Sequence, residues 1–240
     1  MSTQTVPPAA PSRMTVVYPD TDGQPMAENT LQFEWIVTIK EGMERAFRDD
    51  PNVFVAGDLF WYPVEGNNKV RMAPDVMVVV GRPKGHRGSY MQWLEGGIAP
   101  QVVFEILSPS NRPQEMTRKT LFYEHFGINE YYQYDPDDND LSGWQREGLR
   151  LVEIPKMNGW VSPSLGIRFE LEADKLRLIG PDGRPFATYA ELAHERDEIA
   201  HERDEIARER DEIARERDAE RLRTERLIEQ LRALGAEPEL

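Results

Sequence analysis

The sequence predicts a mixed α/β domain with an accessory β region and a long C-terminal helix. Three observations carry that expectation. Between about residues 28 and 135 the order reads helix, several short strands, helix, strand. Strand-like pieces then surround a Pro181-Asp182-Gly183 turn, and a seven-residue repeat begins at His194. A chain of 240 residues is long enough for one core of about 150 residues plus appendages.

Residues 1–27 are proline-rich without an apolar stretch, which predicts a flexible leader that is neither a secretory signal nor a transit peptide. The domain then spans 28–190. Leu31, Trp35, Ile36, Ile39, Met43 and Phe47 recur at helical spacing over 28–49, behind Asn29 and Thr30 as caps. After Pro51 the segments 53–55, 59–64, 76–80 and 102–107 are short, β-branched and aromatic, divided by Gly, Pro and Asn as consecutive strands are. A second helix fits 114–126, closed by Gly127 in a left-handed conformation, and 131–134 reads as a strand ending at Asp135-Pro136. Segments 149–154, 167–171 and 176–179 form the accessory β region.

The tail, 191–240, reads HERDEIA twice from His194, then RERDEIA and RERDAER. Leu192, Ile199, Ile206, Ile213, Leu227 and Leu234 keep heptad register, with Ala200, Ala207 and Ala214 beside them and Glu220 breaking the row. Pairs such as Asp204 with Arg208 and Asp211 with Arg215 support the helix locally. Only one large apolar residue per heptad appears before Leu222, whereas Leu227, Leu231 and Leu234 make a better zipper; Gly235 and Pro238 then stop the helix. Two readings stand: a weak coiled coil that joins copies of the chain, or a solvated single helix.

Composition removes whole classes of function. With no cysteine there are no disulfides, thiol nucleophiles, iron–sulfur clusters or zinc ribbons, and four histidines leave little for a histidine-rich metal site. The longest aliphatic run, 76–80, is far short of the roughly 20 residues that span a bilayer, so a soluble cytoplasmic protein without a membrane partner is expected. The formal charge is -14, and residues 1–193 stay acidic after the acidic tail is set aside, which argues against indiscriminate coating of DNA. It does not argue against carboxylates that hold a divalent cation against phosphate. The stretch 135–140, DPDDND, imitates a calcium loop but has Asp140 at the sixth position and Arg146 at the twelfth. His125 reads as a helix-surface or satisfied core residue.

Three ionisable residues stand where the pattern calls for apolar ones, the kind of violation that marks functional or strained sites. Asp75 follows Pro74 at the mouth of the apolar run 76–80, either as a turn device or as an acid aimed at a site. Glu105 lies inside the apolar run 101–107, where a lone carboxylate costs several kcal/mol or titrates to neutral unless a cation answers it. That cation is either a buried Arg or Lys, or a metal ion. Lys119 falls within the apolar stripe Met116, Phe122, Tyr123 and Phe126, and its head either snorkels to the surface or points inward. If the three converge, the two carboxylates and the Ile106 main-chain carbonyl suit Mg²⁺, with Mn²⁺ as a substitute, and Lys119 orients water or stabilises the transition state. Glu34, Glu41 and Asp58 could join them, and spacing does not choose among these. Lys69, Arg71, Arg82, Lys84, Arg87, Arg112 and Arg118 flank the site in sequence, either as phosphate contacts or as scattered surface charge.

Ala73-Pro74-Asp75, the run from Val103 to Ser110 (VFEILSPS), Lys119-x-x-x-Tyr123, Gly127-Ile128 and the run from Glu130 to Pro136 (EYYQYDP) together resemble the Uma-two family over about residues 28–190. That family, formerly a domain of unknown function, is grouped with restriction endonucleases in the PD-(D/E)XK nuclease superfamily. The resemblance implies an αβββαβ core in which Asp75 and Glu105 bind Mg²⁺ and a lysine assists hydrolysis. The superfamily pattern sets that lysine two residues after the second acid, where this chain has Leu107, and the resemblance implies that Lys119 on the helix replaces it. A Mg²⁺-dependent endonuclease acting on nucleic acid, DNA foremost, is the expected function. The alternative is a catalytically weak or inactive nuclease-fold protein that assembles through its tail.

Overall fold

The computed structural model describes residues 16–21, 23 and 27–233, without the side chains of Tyr189 and Leu231. Most of the expected leader, and Leu234, Gly235 and Pro238 at the expected end of the tail, lie outside the described residues. The elements are α1 (Thr30–Ala46), β1 (Val53–Gly57), β2 (Trp61–Tyr62), β3 (Val76–Val80), β4 (Tyr90–Met91), a 3-10 turn (Gln92–Glu95), β5 (Val102–Ile106), α2 (Pro113–Phe126), β6 (Glu130–Asp135), β7 (Asp140–Glu147), β8 (Arg150–Glu153), β9 (Arg168–Leu171), β10 (Leu176–Ile179) and α3 (Tyr189–Ala233). One compact unit ends at Thr188 and a second begins at Tyr189.

A six-stranded sheet of order β1-β3-β5-β6-β7-β8 organises the first unit. Its pairings are antiparallel except β5 with β6, which run parallel because α2 carries the chain back between them. The order α1-β1-β3-β5-α2-β6 is the expected αβββαβ core. Strands β2 and β4 pair apart from it as a parallel two-residue ribbon, and β9 and β10 form an antiparallel pair.

Alternation along the strands sends side chains to two cores. Val76, Val78, Phe104 and Ile106 join Ile36, Ile39 and Met43 of α1 and Phe169 and Leu178 of the β9/β10 pair. Met77, Val79 and Val103 join Trp61, Tyr123 and Tyr131 on the α2 side. Both faces of β3 and β5 are therefore covered, as their unbroken apolar runs require. Helix α1 starts at Asn29, whose side chain accepts the Gln32 N–H at 2.8 Å, and α2 starts with Pro113 in its first turn and closes at Gly127 with φ 92°.

Departures from the expected elements have local causes. Of 59–64 only Trp61 and Tyr62 are strand: Pro63 lacks the N–H a ladder needs, and Trp61 bridges to Met72 instead. The sequence does not predict β7, because its residues DLSGWQRE alternate poorly; at Gly143 a Cβ would crowd the end of the Met157 side chain and the Tyr132 ring. The segment 149–154, expected in an accessory region, extends the main sheet as β8. Leu31, the first member of the expected α1 stripe, is exposed. Among the described residues, no helix is long and apolar enough to cross a membrane.

Candidate active site

Strand register builds the site. Gly57 pairs with Val76 and Val76 with Phe104, so one further step sets Asp58 opposite Asp75 and Asp75 opposite Glu105. Three acids from three adjacent segments thus form a row across the sheet, and Gln133 of β6 continues it beside Glu105. The Asp58 N–H donates to the carbonyls of Pro74 and Asp75 at 3.1 and 3.2 Å, which holds the end of β1 against the entry of β3. Asp58 does this at φ 47°, a left-handed conformation that aspartate tolerates better than most residues. Asp75 Oδ2 accepts the Ile106 N–H at 2.7 Å, and the Ile106 carbonyl accepts Gln32 Nε2 at 2.8 Å.

Helix α2 covers this row from one face. Lys119 and Tyr123, four residues apart and so on the same side of the helix, both reach Glu105. Lys119 Nζ lies 2.7 Å from Glu105 Oε2, while the Tyr123 hydroxyl donates to Glu105 Oε1. Glu105 is 1 % exposed and the Lys119 side chain 13 %. Of the two answers open for Glu105, the structure supplies a buried lysine, and the lysine head points inward rather than snorkelling. Asp75, Glu105 and Lys119 are brought together. Glu34 and Glu41 are exposed and stay outside, Glu41 pairing with Lys40 at 2.8 Å.

The electrostatics show an excess of negative charge. Burial, then repulsion from Glu105, pushes the Asp75 carboxyl well above the usual aspartate range; Lys119 and the Ile106 N–H oppose this, and Asp58 adds to it. Burial pulls Lys119 down, but the attraction of Glu105 and Asp75 outweighs it and leaves its ammonium above the ordinary lysine value. Burial and then Glu105 raise Tyr123 well above the usual phenol range, so it stays a donor. One lysine faces the carboxylates of Asp75 and Glu105, with Asp58 adding to the negative field. The oxygen donors of Asp75, Glu105 and the second lone pair of Ile106 O make a hard, all-oxygen set that fits Mg²⁺ or Mn²⁺ better than zinc. Among the described residues no group of three or more His, Cys, Asp or Glu gathers into a candidate metal site.

A cleft of about 790 Å³ is lined by Asp75, Lys119 and Asp58; Glu105 is not in its lining and reaches it through its bond to Lys119. It sorts the basic residues. Lys69, Arg71 and Arg118 line it. Lys84 instead donates to the Phe47 carbonyl, and Arg82 and Arg87 bond Glu95 at 2.8 and 2.6 Å. The Arg87 hydrogen bond first, helped by Arg82 against the opposing effect of burial, holds the Glu95 carboxyl below the usual range. Its ion-pair stabilisation is therefore complete above the ordinary glutamate value, about pH 4.3, and is lost as pH falls through the lower folded value. The wild-type advantage in melting temperature over Glu95→Gln should accordingly be constant near neutrality and shrink below about pH 4. A difference that grows on acidification would contradict the assignment.

Sequence reasoning missed Glu28 and Gln32, which also line the cleft. Ser108 Oγ donates to Glu28 Oε2 at 2.5 Å, and Asn111 Oδ1 accepts the Ser108 N–H at 2.7 Å, shaping the β5–α2 loop around the site. Gln32 stands three residues after the Asn29 cap, a position where glutamine is ordinary; nothing in the sequence distinguishes it as a site residue.

A mixed sheet of this order, crossed by one helix and carrying acids on its central strands, is the architecture of restriction-endonuclease-like nucleases. The Uma2 family, described as "Putative restriction endonuclease", matches residues 22–177, more than half of the chain, and the chain belongs to that family. Curated proteins provide no match. Among solved structures it is similar to "a putative nuclease belonging to DUF820 from Anabaena variabilis ATCC 29413", with a TM-score of 0.42 and 14% identity over 56% of this chain and 72% of that one.

Proposed function

We propose that the chain is a divalent-metal-dependent endonuclease that hydrolyses phosphodiester bonds in nucleic acid, DNA foremost. The observation that carries this reading is the convergence of Asp75 and Glu105 on adjacent strands with Lys119 on the covering helix, at the floor of a cleft edged by Lys69, Arg71 and Arg118. Asp75, Glu105 and the Ile106 carbonyl would hold Mg²⁺, which supplies charge neutralisation at the scissile phosphate and a more acidic bound water. The remaining work falls to the chain's own groups. Lys119 Nζ stabilises negative charge that develops on the phosphate, and its bond to Glu105 aims it. Tyr123 keeps Glu105 in place from the other oxygen. Lys69, Arg71 and Arg118 grip flanking phosphates, which sets position without reading sequence.

The test is cleavage of a panel of DNA and RNA substrates, with Mg²⁺, with Mn²⁺ and with chelator. Wild type is expected to cut only with metal, and Asp75→Asn to lose about 10²–10³-fold, the usual effect of removing one preorganised electrostatic group. Equal activity in wild type and Asp75→Asn would remove the assignment.

A further inference from the structure

We propose that α3 pairs with α3 of a second copy of this chain as a parallel, in-register, two-stranded coil. The inference is independent of the nuclease reading.

Helix α3 runs 45 residues with a row of large apolar side chains turned to solvent: Ile199, Ile206, Ile213 and Leu227 are 50–59% exposed. A helix this polar has no use for such a row unless something covers it. The flanks of the row say what. Arginine stands four residues after Leu192, Ile199, Ile206 and Ile213, at 196, 203, 210 and 217, and so lies about 40° round the helix on one side. Glutamate stands three residues after, at 195, 202, 209 and 216, about 60° round on the other side.

Two-fold symmetry then decides orientation. When two such helices meet isoleucine to isoleucine and run parallel, the arginine flank of each faces the glutamate flank of the other. When they run antiparallel, arginine faces arginine and glutamate faces glutamate. Within the parallel pair Arg203 and the second copy's Glu202 differ in height by one residue, about 1.5 Å, only when the helices are in register. A slip by one heptad gives up an isoleucine layer and its two charge contacts, so the ends of the repeat set the register. One large apolar residue per heptad is half the usual seam, so the pair is weak and concentration-dependent.

The native chain lacks cysteine, so a single introduced thiol reports its own neighbours. Ile199→Cys and Ile213→Cys, each alone in the full chain, should form disulfide-linked dimers under mild oxidation. Cross-linking that occurs only when the two variants are mixed would establish an antiparallel pair and overturn the proposal. In sedimentation equilibrium the wild-type mass should move from monomer toward dimer with concentration; a monomer at every concentration, or a mass above dimer, overturns it. Arg203→Glu with Arg210→Glu should weaken self-association at least tenfold. Mixing that variant with Glu202→Arg/Glu209→Arg should restore pairing, because each flank then meets its opposite sign; no recovery overturns the charge argument and the parallel orientation with it.

Discussion

Lys119→Met should lower the stability of the folded domain by about 3–5 kcal/mol, because it strips the cation from a buried carboxylate. Glu105 would keep only the Tyr123 hydroxyl, at 1 % exposure. The methionine stem fills much of the space of the lysine stem, so the loss reports charge rather than volume. Cleavage should fall by about 10²–10³-fold as well. The two effects separate in the double variant Lys119→Met/Glu105→Leu, where neither charge remains buried. Its denaturation midpoint should recover most of the loss, as apolar replacement of a whole buried pair often does, while cleavage stays absent. Recovery of activity together with stability would show that the pair is structural only.

The second large effect lies on the opposite face of the sheet. Glu130, 1% exposed, accepts the Tyr132 hydroxyl and the Ser164 N–H, each at 2.7 Å, and the Ser162 hydroxyl as well. Trp160 Nε1 in turn donates to the Tyr132 oxygen at 2.9 Å. Every partner is a donor, so a carboxylate satisfies the set and a carboxamide does not: Glu130→Gln turns an N–H₂ toward groups that also donate. The cost should be about 2–3 kcal/mol, the range for charge-assisted bonds lost in a dry interior. Since the network pins the segment 160–165 to β6 and touches no cleft residue, cleavage per folded molecule should be unchanged. Denaturation curves and cleavage rates measured on the same preparation check both halves, and a loss of activity at full stability would contradict them.

Much of the core was readable because its strands are covered on both faces. An unbroken apolar run makes any charge within it conspicuous, which is why Asp75 and Glu105 stood out, and the α2 stripe made Lys119 stand out in the same way. Asp58 and Glu28 carry no such contrast. They occupy a strand end and the approach to a helix, where acids are common, and only the register of β1 on β3 and the Ser108 hydrogen bond bring them to the cleft. The missed strand β7 has the same origin: a sequence of Asp, Ser and Gly scores as a turn, and its strand conformation comes from the ladder that β6 and β8 impose on either side. That Lys69, Arg71 and Arg118 edge the cleft while Arg82, Lys84 and Arg87 are held elsewhere depends on where Glu95 and the Phe47 carbonyl sit, which no spacing reveals.

Ladder pairing of the central strands acts as a ruler for the proposed site. Asp75 and Ile106, whose hydrogen bond closes the row, are 31 positions apart along the chain, and a slip of one residue would turn a carboxylate to the other side of the sheet. An emerging or misaligned polypeptide therefore carries no working set of groups. On the proposed reading, competence to cut would arise only with completed folding, because geometry alone would leave half-made copies without it.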